Sequence, residues 1–290
     1  MKLSFPVCIP DTDETIMAWC QNYEESFPWL AGNGYEGIEM LVRDPAEVPK
    51  DQVLTLLQEN KLQISAIGTT PMQKKDHLFL LSEDKEIREE EQKRLEALIE
   101  LGDFFYAPIL VGKYRGMQKD ADHCRMEDLE EIIRKADKKA SETGVTLLIE
   151  PQNSDNINNL NTIEETVAWI RRNRFMNVKL LMDIFHMDKT EQSIENSLRI
   201  YREYIGMIHM ADSKRKVPGS GKINIREILQ TLNKIGYQGF LSMESKQEPD
   251  TKSVAAMSAR ALKFTLIYFS ISKSKFRFRS AIASVGPPIL

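Results

Sequence analysis

Four ionisable side chains stand at the ends of four consecutive apolar segments in the second half of the chain. They are, in chain order, Glu150, Asp183, His209 and Glu244. If these segments are parallel strands of a barrel, their carboxyl ends bring the four side chains to one face, which is where such barrels carry their chemistry. Three carboxylates on one face repel one another, so they favour a cation between them.

A divalent metal ion satisfies this arrangement, because three carboxylates and one neutral imidazole are an ordinary ligand set. The four side chains offer no sulfur, which favours Mn²⁺, Mg²⁺ or Co²⁺ over a structural Zn²⁺. We therefore predict one divalent metal ion at this site, with Mn²⁺ as the first candidate and Zn²⁺ as the least favoured of the four.

Such a site can move a proton next to a carbonyl group. A metal stabilises the enediolate that forms when the proton leaves. A carboxylate on each side of a sugar plane can remove the proton from one face and return it on the other. Return to the same carbon is epimerisation, and return to the neighbouring carbon is aldose–ketose isomerisation. These residues alone support both reactions.

The apolar segments of the whole chain predict the elements that position this site. Eight segments have strand length, and most lack alternation, as in parallel strands covered on both faces. They are residues 3–9, 37–42, 62–68, 107–112, 145–150, 178–183, 205–210 and 240–244. Helical patterns lie between them, at residues 12–32, 50–60, 83–101, 126–143, from Thr162 onward, 225–235 and 251–269. This alternation predicts an α/β fold, a (β/α)₈ TIM barrel.

An open doubly wound sheet is the alternative fold. It calls for a glycine-rich phosphate loop after the first strand, where residues 9–12 read Ile-Pro-Asp-Thr. We expect a single barrel domain over residues 1–270. Residues 271–290 form a basic tail with interleaved aromatic residues. This tail either lies on the barrel, moves in solvent, binds nucleic acid or is foreign to the natural chain.

Composition limits the classes of function. The 290 residues carry a net charge of −4, which argues against a general nucleic-acid-binding protein. Hydrophobic residues make up 42%, which excludes disorder for most of the chain. We find neither a signal peptide nor a membrane span, and the three cysteines are scattered, as in a reducing compartment. We expect a cytoplasmic enzyme that acts on a small molecule, either alone or as a homo-oligomer.

The region from 145 to 244 resembles a known family. Glu-Pro-Gln-Asn at 150–153, Met-Asp-Ile-Phe-His-Met at 182–187 and the stretch from Arg215 to Gly221 are similar to the xylose-isomerase-like barrels of the sugar phosphate isomerase/epimerase superfamily. Within it, they look most like ketose 3-epimerases of the tagatose/allulose type, and next most like hydroxypyruvate isomerase. The likeness is weaker in the first half and absent from the tail.

The resemblance implies a role for each matching residue. Glu150 and Glu244 would be the acid/base pair as well as metal ligands, and Asp183 and His209 would complete the ligand set. His186, Arg215 and Asn153 would hold substrate oxygens. Where the family usually has an aromatic residue followed by Glu, this chain has Asp155 and Asn156, which puts the sugar preference in doubt.

Two further arginines follow strands on the same predicted face. Arg43 follows the second strand and Arg115 the fourth. With Arg215 they could bind a phosphate or carboxylate of the substrate, or they could pair with acids near the site. Glu39, inside the second strand, is expected to satisfy a buried polar partner rather than to take part in chemistry.

Other functions fit less well. Inosose dehydratases, which are lyases, have a similar site, so a lyase stays open. Endonuclease IV shares the barrel, but its three-metal site needs more than the four histidines of this chain, and the acidic net charge suits DNA poorly. A non-catalytic binding barrel is disfavoured because both acid/base carboxylates are present.

Overall fold

A closed barrel of eight parallel strands forms the centre of the molecule, in a computed structural model that describes residues 1–263. Each strand pairs with the next, and the eighth pairs with the first. The strands are β1 (Lys2–Cys8), β2 (Gly37–Leu41), β3 (Gln63–Gly68), β4 (Ile109–Val111), β5 (Leu147–Ile149), β6 (Val178–Asp183), β7 (Ile205–Met210) and β8 (Phe240–Met243). The predicted TIM barrel is confirmed.

Helices surround the barrel and follow the strands. They are α1 (Tyr23–Gly32), α2 (Lys50–Asn60), α3 (Thr70–Asp76), α4 (Lys85–Phe105), α5 (Met126–Thr143), α6 (Ile163–Asn173), α7 (Ile184–Thr190), α8 (Ile194–Ile200), α9 (Ile225–Lys234) and residues 251–263. The helix α5 shows why they pack here. Its buried residues Leu129, Ile133, Ala136 and Ala140 recur at helical spacing on one stripe. It ends at Gly144, whose φ of 78° is a left-handed cap that glycine adopts without strain.

The interior of the barrel is built in layers. Ala66, Leu110, Leu148, Leu181 and Met207 pack together inside it. Side chains along a strand alternate with a period of two, so the residues two positions further on also point inward, one layer closer to the carboxyl ends. Those residues are Gly68, Gly112, Glu150, Asp183 and His209. The pleat of the strands therefore places three of the predicted ligands at one end of the barrel, which we call the mouth.

The first helix begins later than the sequence predicts. The expected helix at 12–32 starts only at Tyr23, and residues 9–22 form a loop that we call the mouth loop. The Asp11 carboxylate explains the late start, because it accepts hydrogen bonds from the backbone N–H groups of Asn22 (2.7 Å) and Tyr23 (3.0 Å).

Two remaining predictions concern the C-terminal tail and membrane-spanning helices. The expected tail at 271–290 lies outside the described residues. Within residues 1–263, none of the helices has the length and apolar character that crossing a bilayer requires.

Candidate active site

The four predicted ligands meet at the mouth of the barrel. One ligand atom from each of Glu150, Asp183, His209 and Glu244 lies within 4.8 Å of the others, and we call these residues the metal cluster. Asp183 and His209 belong to β6 and β7, while Glu150 and Glu244 directly follow β5 and β8. Three of them are buried, and the Glu244 side chain is 21% exposed. The geometry is that of a site for one divalent metal ion.

Asp183 supplies an observation that fits a cation. Its Oδ1 accepts a hydrogen bond of 2.8 Å from the Phe185 N–H and thereby caps α7. Its Oδ2 is fully buried and has no hydrogen-bond donor. A buried oxygen without a donor is costly, and a metal ion bound to it would remove that cost. The residues present therefore fit a divalent metal.

Arg215 balances the negative charge of the cluster. Its Nη1 lies 2.6 Å from Asp183 Oδ2 and 2.8 Å from Glu244 Oε2, as an ion pair without hydrogen-bond geometry toward either oxygen. Its guanidinium carbon lies 4.3 Å from the centre of the Phe185 ring. Lys214 and Arg215 have φ of 62° and 58°, so two successive non-glycine residues adopt left-handed backbone. Such strain, of about 1–3 kcal/mol per residue, is typical of functional sites.

His209 is held from behind by a second carboxylate. Its Nε2 lies 2.9 Å from Glu39 Oε2, and Ser242 donates a hydrogen bond of 2.5 Å to the same oxygen. Its Nδ1 lies 3.1 Å from Glu244 Oε2. A carboxylate on one ring nitrogen fixes the tautomer that leaves the other nitrogen free for a metal. The prediction that Glu39 satisfies a buried polar partner is confirmed, and no local sequence pattern indicates that this partner is His209.

Two neighbouring residues enclose the Glu150 carboxylate. Gln152 donates a hydrogen bond to its Oε2. Gly112, on the neighbouring strand end, leaves room for this oxygen, because a Cβ atom at that position would stand 2.6 Å from it. A larger residue at position 112 would displace the Glu150 carboxylate from this place. Sequence reasoning singled out neither Gln152 nor Gly112.

The two acid/base candidates differ in their electrostatics. Burial, together with the nearby charges of Glu244 and Asp183, raises the pKa of Glu150 to about 8. Burial also opposes ionisation of Glu244, but Arg215 and His209 outweigh it and hold the pKa of Glu244 well below its usual range. At neutral pH the metal-free site therefore contains one protonated and one ionised carboxyl group, a pattern that suits an acid and a base.

His186 and Asn153, predicted to hold substrate oxygens, lie beside the cluster. His186 Nε2 stands 3.9 Å from both Glu150 Oε1 and Asp183 Oδ2, and 3.0 Å from Arg215 Nη2. The Asn153 amide nitrogen lies 2.6 Å from His186 Nδ1. Burial lowers the pKa of His186, so the ring is neutral and can exchange hydrogen bonds with hydroxyl groups.

Arg115 is not accessible to a substrate. Its side chain is fully buried, and it donates to the carbonyl oxygens of Gly112 (2.8 Å), Glu150 (3.0 Å) and Asn159 (3.0 Å) and to Asn159 Oδ1 (2.8 Å). Its donors are thus occupied by the protein. This corrects the predicted substrate-binding role: Arg115 ties the ends of β4 and β5 to the loop that follows.

Arg43 is likewise engaged elsewhere. Its guanidinium forms a two-pronged contact with Asp76, at 2.9 Å through Nε and 2.8 Å through Nη2, and the side chain is 45% exposed. The alternative interpretation of the sequence, in which the arginine pairs with a nearby acid, is correct for Arg43. Of the three arginines that could bind an anion, Arg215 alone contacts the side chains of the metal cluster.

A pocket of about 370 Å³ opens beside the cluster. Glu244 and Glu39 lie on one side of it, and Thr15, Ile16 and Met17 of the mouth loop lie on another. The pocket is large enough for a small sugar, and its wall combines carboxylates with apolar side chains. The mouth loop therefore forms part of the candidate binding site.

Comparisons with known proteins agree with this geometry. The family described as the xylose isomerase-like TIM barrel matches residues 27–264. The chain is 37% identical to the D-psicose 3-epimerase of Ruminiclostridium cellulolyticum over 114 residues, which are 39% of each chain. It is 28% identical to the hydroxypyruvate isomerase of Escherichia coli over 148 residues, covering 50% of this chain and 56% of that protein.

Solved structures show the same fold. A structure of an L-ribulose 3-epimerase superposes with a TM-score of 0.75 at 21% identity, and the match covers 99% of each chain. The sequence matches are shorter, since the chain spans about two fifths of the length of the D-psicose 3-epimerase. The structural match therefore supports the fold of the described residues, and these sequence matches cover only part of the chain.

Proposed function

Because the chain belongs to the xylose isomerase-like TIM barrel family, we propose that it is a metal-dependent sugar epimerase or isomerase. The reaction moves a proton next to the carbonyl group of a ketose. The observation that carries this proposal is the metal cluster, in which Glu150 and Glu244 reach one point from strand ends on different parts of the barrel wall. The relatives named as a D-psicose 3-epimerase and as a hydroxypyruvate isomerase support the same class.

Glu150, Asp183, His209 and Glu244 would hold the metal, with Mn²⁺ as the first candidate. When bound, it supplies positive charge that makes the hydrogen next to a carbonyl group more acidic. The cluster offers three carboxylates and one imidazole and no sulfur, which suits Mn²⁺, Mg²⁺ or Co²⁺.

Glu150 and Glu244 exchange the proton with the substrate. The carboxylate that is ionised takes the proton from carbon, and the carboxyl group that is protonated returns one from its own side. Return to the same carbon gives epimerisation, which the ketose 3-epimerase relatives favour over isomerisation.

His186, Asn153 and Arg215 orient the substrate by hydrogen bonds to its oxygens. All three are buried next to the cluster. Since Arg43 and Arg115 are occupied by protein partners, a single arginine is left for the substrate. Arginine therefore gives little basis for selecting an anionic substrate, because selection by arginine usually relies on several charge-assisted bonds.

Isotope exchange tests the proposal directly. A panel of ketoses is incubated with the Mn²⁺-loaded protein in D₂O, and deuterium at the carbon next to the carbonyl group is followed by NMR. We expect deuterium to enter one ketose and its epimer. Absence of deuterium from every ketose in the panel would contradict an epimerase or isomerase.

Substitution of the two carboxylates tests their roles. Glu150→Gln and Glu244→Gln each keep an oxygen for the metal but remove the titratable group, so we expect turnover to fall by a factor of roughly 10² or more. Glu142→Gln, at an exposed position on α5, is the matched control and keeps wild-type turnover. Wild-type turnover in both site variants would refute the two-carboxylate mechanism.

A further inference from the structure

Two cysteines face each other beside the mouth. The sulfur atoms of Cys8 and Cys20 are 3.9 Å apart. Cys8 is the last residue of β1 and is buried, whereas Cys20 lies in the mouth loop and is half-buried. The third cysteine, Cys124, is buried in the segment before α5. The pair is thus distinct from the third thiol, and one of its members is accessible from solvent.

The hydrogen bonds distinguish the two thiols. Cys8 donates to the Cys20 sulfur, and Cys20 donates to the Ala18 carbonyl oxygen at 3.4 Å. The hydrogen bond from Cys8 lowers the pKa of Cys20 to about 7, while the same contact and burial raise the pKa of Cys8. The half-exposed sulfur is therefore the one that forms a thiolate, which is the nucleophilic form of cysteine.

The backbone already holds the two residues side by side. The Cys8 N–H donates to the Trp19 carbonyl oxygen at 2.9 Å, and the Trp19 N–H donates to the Pro6 carbonyl oxygen at 2.9 Å. These bonds join the end of β1 to the end of the mouth loop. A disulfide bond is about 2.05 Å long. The two sulfur atoms therefore need to approach each other by about 2 Å from their separation of 3.9 Å, and the loop need not unfold.

We propose that Cys8 and Cys20 are a redox pair that a peroxide oxidises to a disulfide, and that this disulfide restrains the mouth loop. The Cys20 thiolate attacks one peroxide oxygen, giving a sulfenic acid and, with a proton from solvent, one molecule of water or alcohol. The Cys8 thiol then displaces the sulfenic oxygen as water and forms the S–S bond. Two thiols lose two protons and two electrons in total, and the peroxide gains them.

The disulfide acts on the site through the mouth loop. Cys8 packs with Ile16, Ala18 and Leu41 in a cluster that Cys20 also contacts. Ile16 and Leu41 line the pocket that Glu244 borders. Drawing Cys20 toward Cys8 moves this apolar wall, so we expect the oxidised protein to turn over its ketose more slowly and a dithiol reductant to restore the rate. This effect on turnover rests on the proposed function, whereas the thiol chemistry does not.

The test follows thiols, mass and the mouth loop in the full chain. After treatment with dilute hydrogen peroxide, we expect free thiols to fall from three to one and the monomer mass to fall by two hydrogen atoms. Limited proteolysis within residues 9–22 should slow in the oxidised form and recover with dithiothreitol. Proteolysis is measured without any ketose. A slower rate in the oxidised form therefore supports the disulfide restraint even if no ketose reaction is found.

Three serine variants locate the chemistry. Cys20→Ser, at the half-exposed position, and Cys8→Ser should each abolish the loss of two thiols, and Cys124→Ser should leave it unchanged. A disulfide-linked dimer, a mass gain of oxygen atoms without disulfide, or unchanged thiol loss in Cys20→Ser would overturn the redox pair. An intramolecular disulfide that alters neither proteolysis nor turnover would overturn the restraint of the mouth loop.

Discussion

Replacement of Arg115 separates a structural arginine from a substrate-binding one. The side chain makes four short hydrogen bonds of 2.8 to 3.0 Å, to three backbone carbonyl groups and Asn159 Oδ1, and a fifth of 3.4 Å to the Leu160 carbonyl oxygen. Burial lowers its pKa to about 10, so it is still a cation at neutral pH. A buried acceptor left without its donor costs about 1–3 kcal/mol, so losing the four short bonds alone would cost roughly 4–12 kcal/mol. That approaches the whole stability of a typical protein, about 5–15 kcal/mol.

The informative variant is therefore Arg115→Lys, which keeps the charge and part of the hydrogen bonding. An ammonium group cannot reproduce the planar fork of a guanidinium, so we expect roughly half of the loss, about 2–6 kcal/mol. Urea unfolding followed by circular dichroism measures it as a lower midpoint. Because Arg115 holds the carbonyl group of Glu150, turnover should fall as well, with little change in KM.

Arg43→Ala is the matched control. Both arginines follow strands and both were candidates for binding a substrate anion, but Arg43 is an exposed partner of Asp76. Its loss should cost no more than about 1 kcal/mol. The reasoning is refuted if Arg115→Lys unfolds at the wild-type urea concentration while the KM of a phosphorylated or acidic ketose rises.

Three other predictions concern the cluster and a buried carboxyl group. Glu39→Gln should weaken metal affinity by about 10–100-fold in a calorimetric titration, because Glu39 orients His209; unchanged affinity would remove that role. His209→Ala should lower the bound Mn²⁺ per chain and abolish the rise in melting temperature that metal gives wild type, and unchanged stoichiometry would disprove the site. Glu91 of α4 is buried without a hydrogen-bond partner for either carboxylate oxygen, and burial raises its pKa from 4.5 to about 8. Its folded form favours the protonated state, so this contribution to stability is complete below pH 4.5 and lost as the pH rises toward 8. Glu91→Gln should therefore unfold at higher urea than wild type at pH 8 but not at pH 4.5, and equal gains at both would contradict the assignment.

Long or strongly patterned elements were predictable from the sequence. The bounds of β6, β7, α2 and α5 agree with prediction. The two strands are compact apolar segments, and the apolar residues of α5 recur at helical spacing up to Gly144, which marks its end. The helices α3, α7 and α8 have seven residues each and were not predicted. So short a helix has little periodicity. It is stabilised by its context, as when Asp183 caps α7.

The candidate site also contains residues whose positions were predictable from the sequence and residues whose positions were not. Each metal ligand closes a strand, and parallel strands in a barrel end at one face, so one rule was enough to bring Glu150 and His209 together. Nothing local distinguishes an arginine that points into solvent from one that is buried, and Arg43 and Arg115 therefore looked alike. Contacts between distant residues, such as Glu39 with His209 across 170 positions, depend on the closed barrel and have no local signal.

The pairing of β1 with β8 has a consequence for synthesis on the ribosome. The partners are Lys2 with Phe240 and Ser4 with Ser242, so the first strand to be made waits for the last. At about 5–20 residues per second, that wait lasts roughly 10–50 seconds. During it, one edge of β1 is unpaired and open to contacts with other chains. Glu244 emerges just after the closing strand, so the nascent chain gains its complete metal site only when nearly all the described residues have been translated.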